Sequence, residues 1–190
     1  MFMIPPGYWG GGNSLEYECP WLTPGAVQHL DRVLNDPSYT VLEHGCGGST
    51  LFFARRCASV ISLETDPAWY TNTQKALKEK NLLNCALHLI TDETKIPDIL
   101  VGHQFDVLLI DCYQTISRHN RTLLSIPHLK PGALIILDNY DAGPDTGGLC
   151  GRTIDALFPG RDILVYDDEH WVGKGTKIFQ IPGTANDLVL

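Results

Sequence analysis

No apolar run in the 190-residue chain approaches the ~20 residues that cross a bilayer; the longest are short, as at 107–110 and 134–137. The first thirteen residues are rich in proline, glycine and aromatics and lack both a basic head and an apolar core, so no secretory leader is read there. Paired cysteines are missing as well. Cys19, Cys46, Cys57, Cys85, Cys112 and Cys150 are spread almost evenly with no C-x-x-C, which fits neither a zinc site nor the disulfide framework of a small secreted domain. Six reduced thiols in a cytoplasmic protein are expected. Positive charge is scarce: 14 Lys+Arg against 22 Asp+Glu leave a net charge of −8. Proteins that track nucleic-acid phosphates usually carry a basic face, so neither a nucleic-acid nor a membrane partner is expected. Internal repeats, low-complexity tracts and flexible linkers are absent.

What is present is ordinary globular composition, 44% apolar and 19% charged. A chain of this length buries about 70% of its unfolded surface in one core. A single domain over 1–190 is expected: an arm and helix at 1–38, a ligand-binding core at 39–140, and a loop with C-terminal strands at 141–190. Strand-length apolar runs fall at 40–43, 60–64, 86–90, 105–111 and 133–138. Helical patterns alternate with them at 49–57, at 66–80 behind Asp66-Pro67, and at 117–129, where Lys130-Pro131-Gly132 reads as a stop. A helix at 24–34 precedes the first strand. A helix at 153–158 and strands at 162–166 and 177–181 close the chain. This rhythm predicts right-handed βαβ units: an α/β, Rossmann-like doubly wound, mostly parallel sheet with helices on both faces. The last two runs are too close for a crossover helix and predict an antiparallel C-terminal edge.

In such a sheet, ligands bind beyond the carboxyl ends of the strands, where strand order reverses. The first strand ends in Glu43-His44-Gly45-Cys46-Gly47-Gly48-Ser49-Thr50. Its glycines permit a tight turn and close approach of a ligand to the backbone, and the next helix points its amides the same way. A dinucleotide fingerprint wants glycine or alanine where Thr50 stands, which weighs against a nicotinamide-dependent oxidoreductase. Glu64, about 20 residues on, suits a carboxylate accepting from a ribose diol. Asp92, Asp111 and Asp138-Asn139 follow at the next three strand ends. Five acids on one rim beside a glycine turn describe a nucleoside-like ligand carrying positive charge.

The ordered set Val41-Leu-Glu-His-Gly-Cys-Gly47, Ser62-Leu-Glu64, Phe105-Asp-Val-Leu-Leu-Ile-Asp111 and Leu129–Asp138 resembles the motifs of class I S-adenosylmethionine-dependent methyltransferases. The resemblance runs from about Tyr39 to Asn139. It implies that Glu43, Gly45 and Gly47 line the methionine part of the cofactor, Glu64 holds the ribose and Asp92 lies near the adenine, with Asp111 also among the cofactor-binding residues; Trp69, just beyond Glu64, either covers the adenine face or packs against the sheet. No Asn/Asp-Pro-Pro-aromatic tetrapeptide occurs at 111–114 and no Pro-Cys dipeptide is present, so base-methylation patterns are missing. Asp111, Asp138 and Asn139 fall where catechol-type O-methyltransferases place a divalent metal, a hard-oxygen set suited to Mg²⁺ or Ca²⁺. Gln114 stands where those enzymes carry a lysine base. The alternative is that Asp111 orders the pocket and Asp138-Asn139 caps a turn, with no metal. Asp111 and His119 are the candidate catalytic residues, with His170 a further possible base. Arg118 and Arg121 are read as a solvated helix face. The segment 143–151 is read as a surface loop or lid, and Tyr8-Trp9 and Trp21 as cover for the mouth or edge packing. The expected activity is methyl transfer from S-adenosylmethionine to a small-molecule acceptor, at oxygen. A non-catalytic cofactor-binding module is the alternative.

Overall fold

Strands that are apolar on both sides call for a sheet covered on both faces, and the computed structural model carries one. It describes residues 3–5, 8, 13–34, 36–112, 115–140, 147–159, 163–168 and 175–183. Helices α1 (Ser14–Tyr17) and α2 (Pro24–Val33) lead into β1 (Thr40–His44), α3 (Gly48–Ala54), β2 (Ser59–Glu64), α4 (Pro67–Glu79) and β3 (Cys85–Leu89). A 3₁₀ turn (Glu93–Lys95) and α5 (Ile96–Leu100) follow, then β4 (Phe105–Ile110), α6 (Thr115–Ser125), a second 3₁₀ turn (Ile126–His128) and β5 (Leu129–Asp138). The chain continues through α7 (Gly147–Leu157), β6 (Ile163–Asp167) and β7 (Gly175–Gln180).

The seven strands lie in the order β3-β2-β1-β4-β5-β7-β6. The first five are parallel, while β7 runs antiparallel to both β5 and β6. Strand order reverses between β1 and β4. Val41, Val60, Val107, Leu109 and Ile136 pack with residues of α1–α4 on one face. Their neighbours Leu42, Ile61, Leu108, Ile110, Ile135 and Leu137 pack with α5 and α7 on the other. Period-2 alternation of two apolar sets is why β4 is apolar from Val107 to Ile110.

The sequence-based elements hold with shifted ends, and one assignment is corrected. α6 stops at Ser125, and Lys130-Pro131-Gly132 lies inside β5 rather than ending the helix. The β4–β5 register jumps from Phe105↔Leu129 to Val107↔Leu134, so these residues form an irregularity where no ladder bond is required of proline. Gly132 takes φ +82° there, and Lys130 Nζ reaches Asp106 Oδ2 at 2.8 Å. α7 begins earlier than expected, at Gly147, and α1 and α5 are too short to show periodicity. All six cysteines are free thiols. Among the described residues, no helix is long and apolar enough to cross a membrane.

Candidate functional site

The turn after β1 is held from below and from both sides. Gly45 has φ +95°, and a Cβ there would stand 2.6 Å from the Asp111 carbonyl oxygen, so the turn presses against the end of β4. At Gly48 a Cβ would meet the carbonyl oxygens of Cys19 and Ser14 at 2.2 and 2.3 Å, which seats α1 directly on the start of α3. Ser14 Oγ accepts the Gly48 N–H at 3.3 Å. Glu43 has no exposed surface. Its carboxylate accepts from the hydroxyls of Ser49, Thr50 (2.6 Å) and Ser62 (2.8 Å), and Thr50 Oγ1 in turn accepts the Gly47 N–H at 3.0 Å. The threonine that breaks the dinucleotide fingerprint is thus a brace for the turn. Burial pushes the Glu43 carboxyl up to about 7, against the three hydroxyl donors.

Glu64 ties this turn to the next helix. It is 7% exposed; Oε2 accepts the Cys46 N–H at 2.8 Å, and Oε1 accepts those of Thr65 (2.6 Å) and Asp66 (2.8 Å). Asp66 caps α4 by accepting from the Ala68 and Trp69 amides at 2.7 and 3.0 Å. The Trp69 ring, 40% exposed, stands beside Gly47, 3.6 Å from where a Cβ would lie. Gly45, Gly47, Glu64 and Trp69 are therefore brought together. Asp92 is exposed and caps the 3₁₀ turn through the Thr94 N–H (3.0 Å) and hydroxyl (2.7 Å), which hold its carboxyl below the usual range. It lines a cavity of about 360 Å³ with Tyr70, Leu89 and Lys95, along the edge strand and farther round the rim. A larger cavity, about 630 Å³, opens at the opposite end of the sheet beside Tyr39, Asp106 and Gln180, away from the strand-end acids.

At the ends of β4 and β5 the structure corrects the sequence reading. Arg118 and Arg121 are not on a solvated face: they are 5% and 1% exposed. Arg118 donates from Nε to the Cys112 carbonyl and from Nη1 to the Asp138 carbonyl, each at 2.9 Å, and places Nη2 3.6 Å from Asp111 Oδ1. Burial raises the Asp111 carboxyl to about 7, with Arg118 opposing and the Glu64 charge adding. Arg121 pairs with Glu93 through Nε (3.0 Å) and Nη2 (2.9 Å). Beside it His44, fully buried, sets Nε2 2.7 Å from Ser125 Oγ; burial, and then the Arg121 charge, lower its pKa to about 3, so the ring is neutral. Arg118, Arg121, Thr122 and Ser125 form a buried stripe at i, i+3, i+4, i+7 on α6. That spacing was the available signal, missed because its residues are polar.

The set Asp111, Asp138 and Asn139 does not fit a divalent cation as it stands. Asp138 is 2% exposed and its Oδ1 accepts from Thr176 Oγ1 at 2.8 Å, while Asn139 has φ +51°. A fixed guanidinium already spans the two strand ends, and an added cation would face a like charge. Among the described residues, no group of three His, Cys, Asp or Glu is placed to hold a metal. His119 turns towards α7, with Nδ1 3.4 Å from Thr153 Oγ1. Tyr8 is buried in the arm; its hydroxyl donates to the Pro20 carbonyl (2.7 Å) and accepts the Leu22 N–H (2.9 Å), whereas Trp21 is 39% exposed. Trp9, Gln114, His170 and residues 141–146 lie outside the described residues, and 147–151 belong to α7.

No family model matches the chain, and no curated protein matches it in sequence. Solved structures do. The O-methyltransferase TomG from Streptomyces achromogenes, involved in tomaymycin synthesis and crystallised with S-adenosylmethionine, superposes with a TM-score of 0.68 at 17% identity, over 96% of this chain and 93% of that one. An O-methyltransferase from Bacillus cereus in complex with S-adenosylhomocysteine gives 0.70 at 17% identity, over 94% and 93%. A structure described as a putative rRNA methylase from Clostridium thermocellum gives 0.61 at 18% identity, over 83% and 96%. At these identities the likeness establishes the architecture, and the chain has the fold of these S-adenosylmethionine-dependent methyltransferases.

Proposed function

We propose that the protein transfers a methyl group from S-adenosylmethionine to a small-molecule acceptor, at oxygen. The observation that carries this reading is the meeting of the braced Gly45–Gly47 turn, Glu64 and Trp69 on one rim, where strand order reverses. Solved structures with this fold hold S-adenosylmethionine or S-adenosylhomocysteine, which supports the same cofactor here. The residues fit it. Gly45 and Gly47 leave the backbone open to the methionine end, with Glu43 holding the turn from beneath. Glu64 accepts from the ribose hydroxyls, Trp69 covers the adenine face, and Asp92 closes the adenine side of the rim. When bound, the cofactor supplies a methyl group made electrophilic by its sulfonium. The acids around the rim favour that positive charge.

Asp111 stands at the end of β4 against the glycine turn and accepts the proton of the acceptor hydroxyl. His119, the other candidate, is turned to α7, which favours Asp111. The net charge of −8 favours a small molecule over the RNA acceptors named for some proteins of this fold. Six free thiols agree with a reducing compartment such as the cytoplasm.

Titration calorimetry with S-adenosylhomocysteine tests the cofactor reading. Binding in the micromolar range is expected, about −8 kcal/mol, and no heat at ~1 mM ligand ends it. A non-catalytic module predicts the same binding with no methyl transfer to any acceptor, so turnover on one hydroxylated compound removes that alternative.

A further inference from the structure

We propose that the Arg118 guanidinium takes the place of a divalent cation between the ends of β4 and β5, so that the site works without metal and Arg118 is the positioning residue for Asp111. The proposal rests on the methyltransferase reading and concerns how the acceptor end is built. Two of the three residues that the resemblance gives to a metal, Asp111 through its carboxylate and Asp138 through its main-chain carbonyl, already share a cation, and it belongs to the chain. One planar fork donates to the carbonyl of Cys112, just past β4, and to the carbonyl of Asp138, the last residue of β5, while its third nitrogen stands 3.6 Å from Asp111 Oδ1.

Burial makes that arrangement permanent. Arg118 is 5% exposed and follows β4 on the inward stripe of α6, so swinging out would strand two carbonyls and require Asp111 to lose its counter-charge. Arg121, the neighbouring cation, is committed to Glu93 and does not compete. Asp138, the second expected ligand, accepts from the Thr176 hydroxyl through Oδ1. A guanidinium fixed by two backbone carbonyls orients and compensates Asp111 but has no open coordination positions. The acceptor class that follows is a lone hydroxyl, without the two adjacent oxygens that chelate a metal.

The test is a Mn²⁺ titration followed by electron paramagnetic resonance, run on the full chain with S-adenosylhomocysteine present. Wild type is expected to bind no Mn²⁺ up to ~1 mM, whereas Arg118→Gln gains one site at least about tenfold tighter, because Asp111 loses its fixed counter-charge. Arg118→Lys keeps the charge and gains none. Asp111→Asn added to Arg118→Gln abolishes the new site. A wild-type Mn²⁺ site that disappears in Asp111→Asn overturns the proposal, as does an Arg118→Gln protein that gains nothing. The wild-type arm decides alone if Arg118→Gln does not fold. Catechol affinity for the wild-type complex is expected to be unmoved by Mg²⁺, and tightening by Mg²⁺ also overturns the proposal. Failure to bind S-adenosylhomocysteine is a separate result, which ends the cofactor reading and leaves the Mn²⁺ comparison intact.

Discussion

A carboxylate with no exposed surface must be compensated by its neighbours, and Glu43 draws on the hydroxyls of Ser49, Thr50 and Ser62. The compensation is incomplete, since its carboxyl is raised from 4.5 to about 7. The folded state therefore holds the proton more tightly than the unfolded chain. The group's stabilisation is full below about pH 4.5 and is lost as pH rises through 7, at most about 3 kcal/mol. Urea denaturation between about pH 4.5 and 8 should show this fall, and Glu43→Gln should flatten it, because the hydroxyls can rotate to accept from the amide. Asp111 is shifted in the same sense and keeps part of the slope in that variant. Glu64→Ala should weaken S-adenosylhomocysteine binding by about 10- to 100-fold, the worth of hydrogen bonds to a charged group, as read by calorimetry. A smaller loss of stability should accompany it, because three backbone amides lose their acceptor.

Among the elements, α1 and α6 carry most of what the site needs. α1 has only four residues, yet it sits on the start of α3 with no space between them. Gly48→Ala should push it away and cost about 2–4 kcal/mol, since the new Cβ meets backbone oxygens that cannot swing aside. Hydrogen exchange should then rise selectively over residues 13–22. Glu18 joins this segment to Arg55 of the α3 cap and to Lys80. These pairs are partly exposed, so Glu18→Ala should cost under about 1 kcal/mol and leave α1 in place. α6 shows where sequence reasoning stopped. The period of its inward face was legible, but the residues on it are arginine, threonine and serine, which composition assigns to solvent. They are buried because each meets a partner supplied from elsewhere: Asp138 and Cys112 carbonyls for Arg118, Glu93 for Arg121, the Cys150 thiol for Thr122, and His44 for Ser125. The misread Lys130-Pro131-Gly132 has the same origin, a β4–β5 register jump that no local signal records.

For the whole molecule, cofactor binding to the folded chain alone should raise its stability by about 2.7 kcal/mol at a hundredfold excess over Kd, or about 5–10 °C in Tm for this size. Calorimetric scans with S-adenosylhomocysteine read that shift, and Glu64→Ala should shrink it. The alternation of strands and helices, the doubly covered sheet, the antiparallel edge, and an acid at one strand end after another are all legible in the residues alone. These follow from side-chain period and turn chemistry, which are local. What each acid does there depends on packing between distant segments. Glu43 went beneath the glycine turn, Glu64 across to α4, Asp92 to a cap on the outer loop, Asp111 beside a buried guanidinium and Asp138 to the Thr176 hydroxyl. A charge takes its role from the donors and cations packed against it, and those come from segments far apart in the chain.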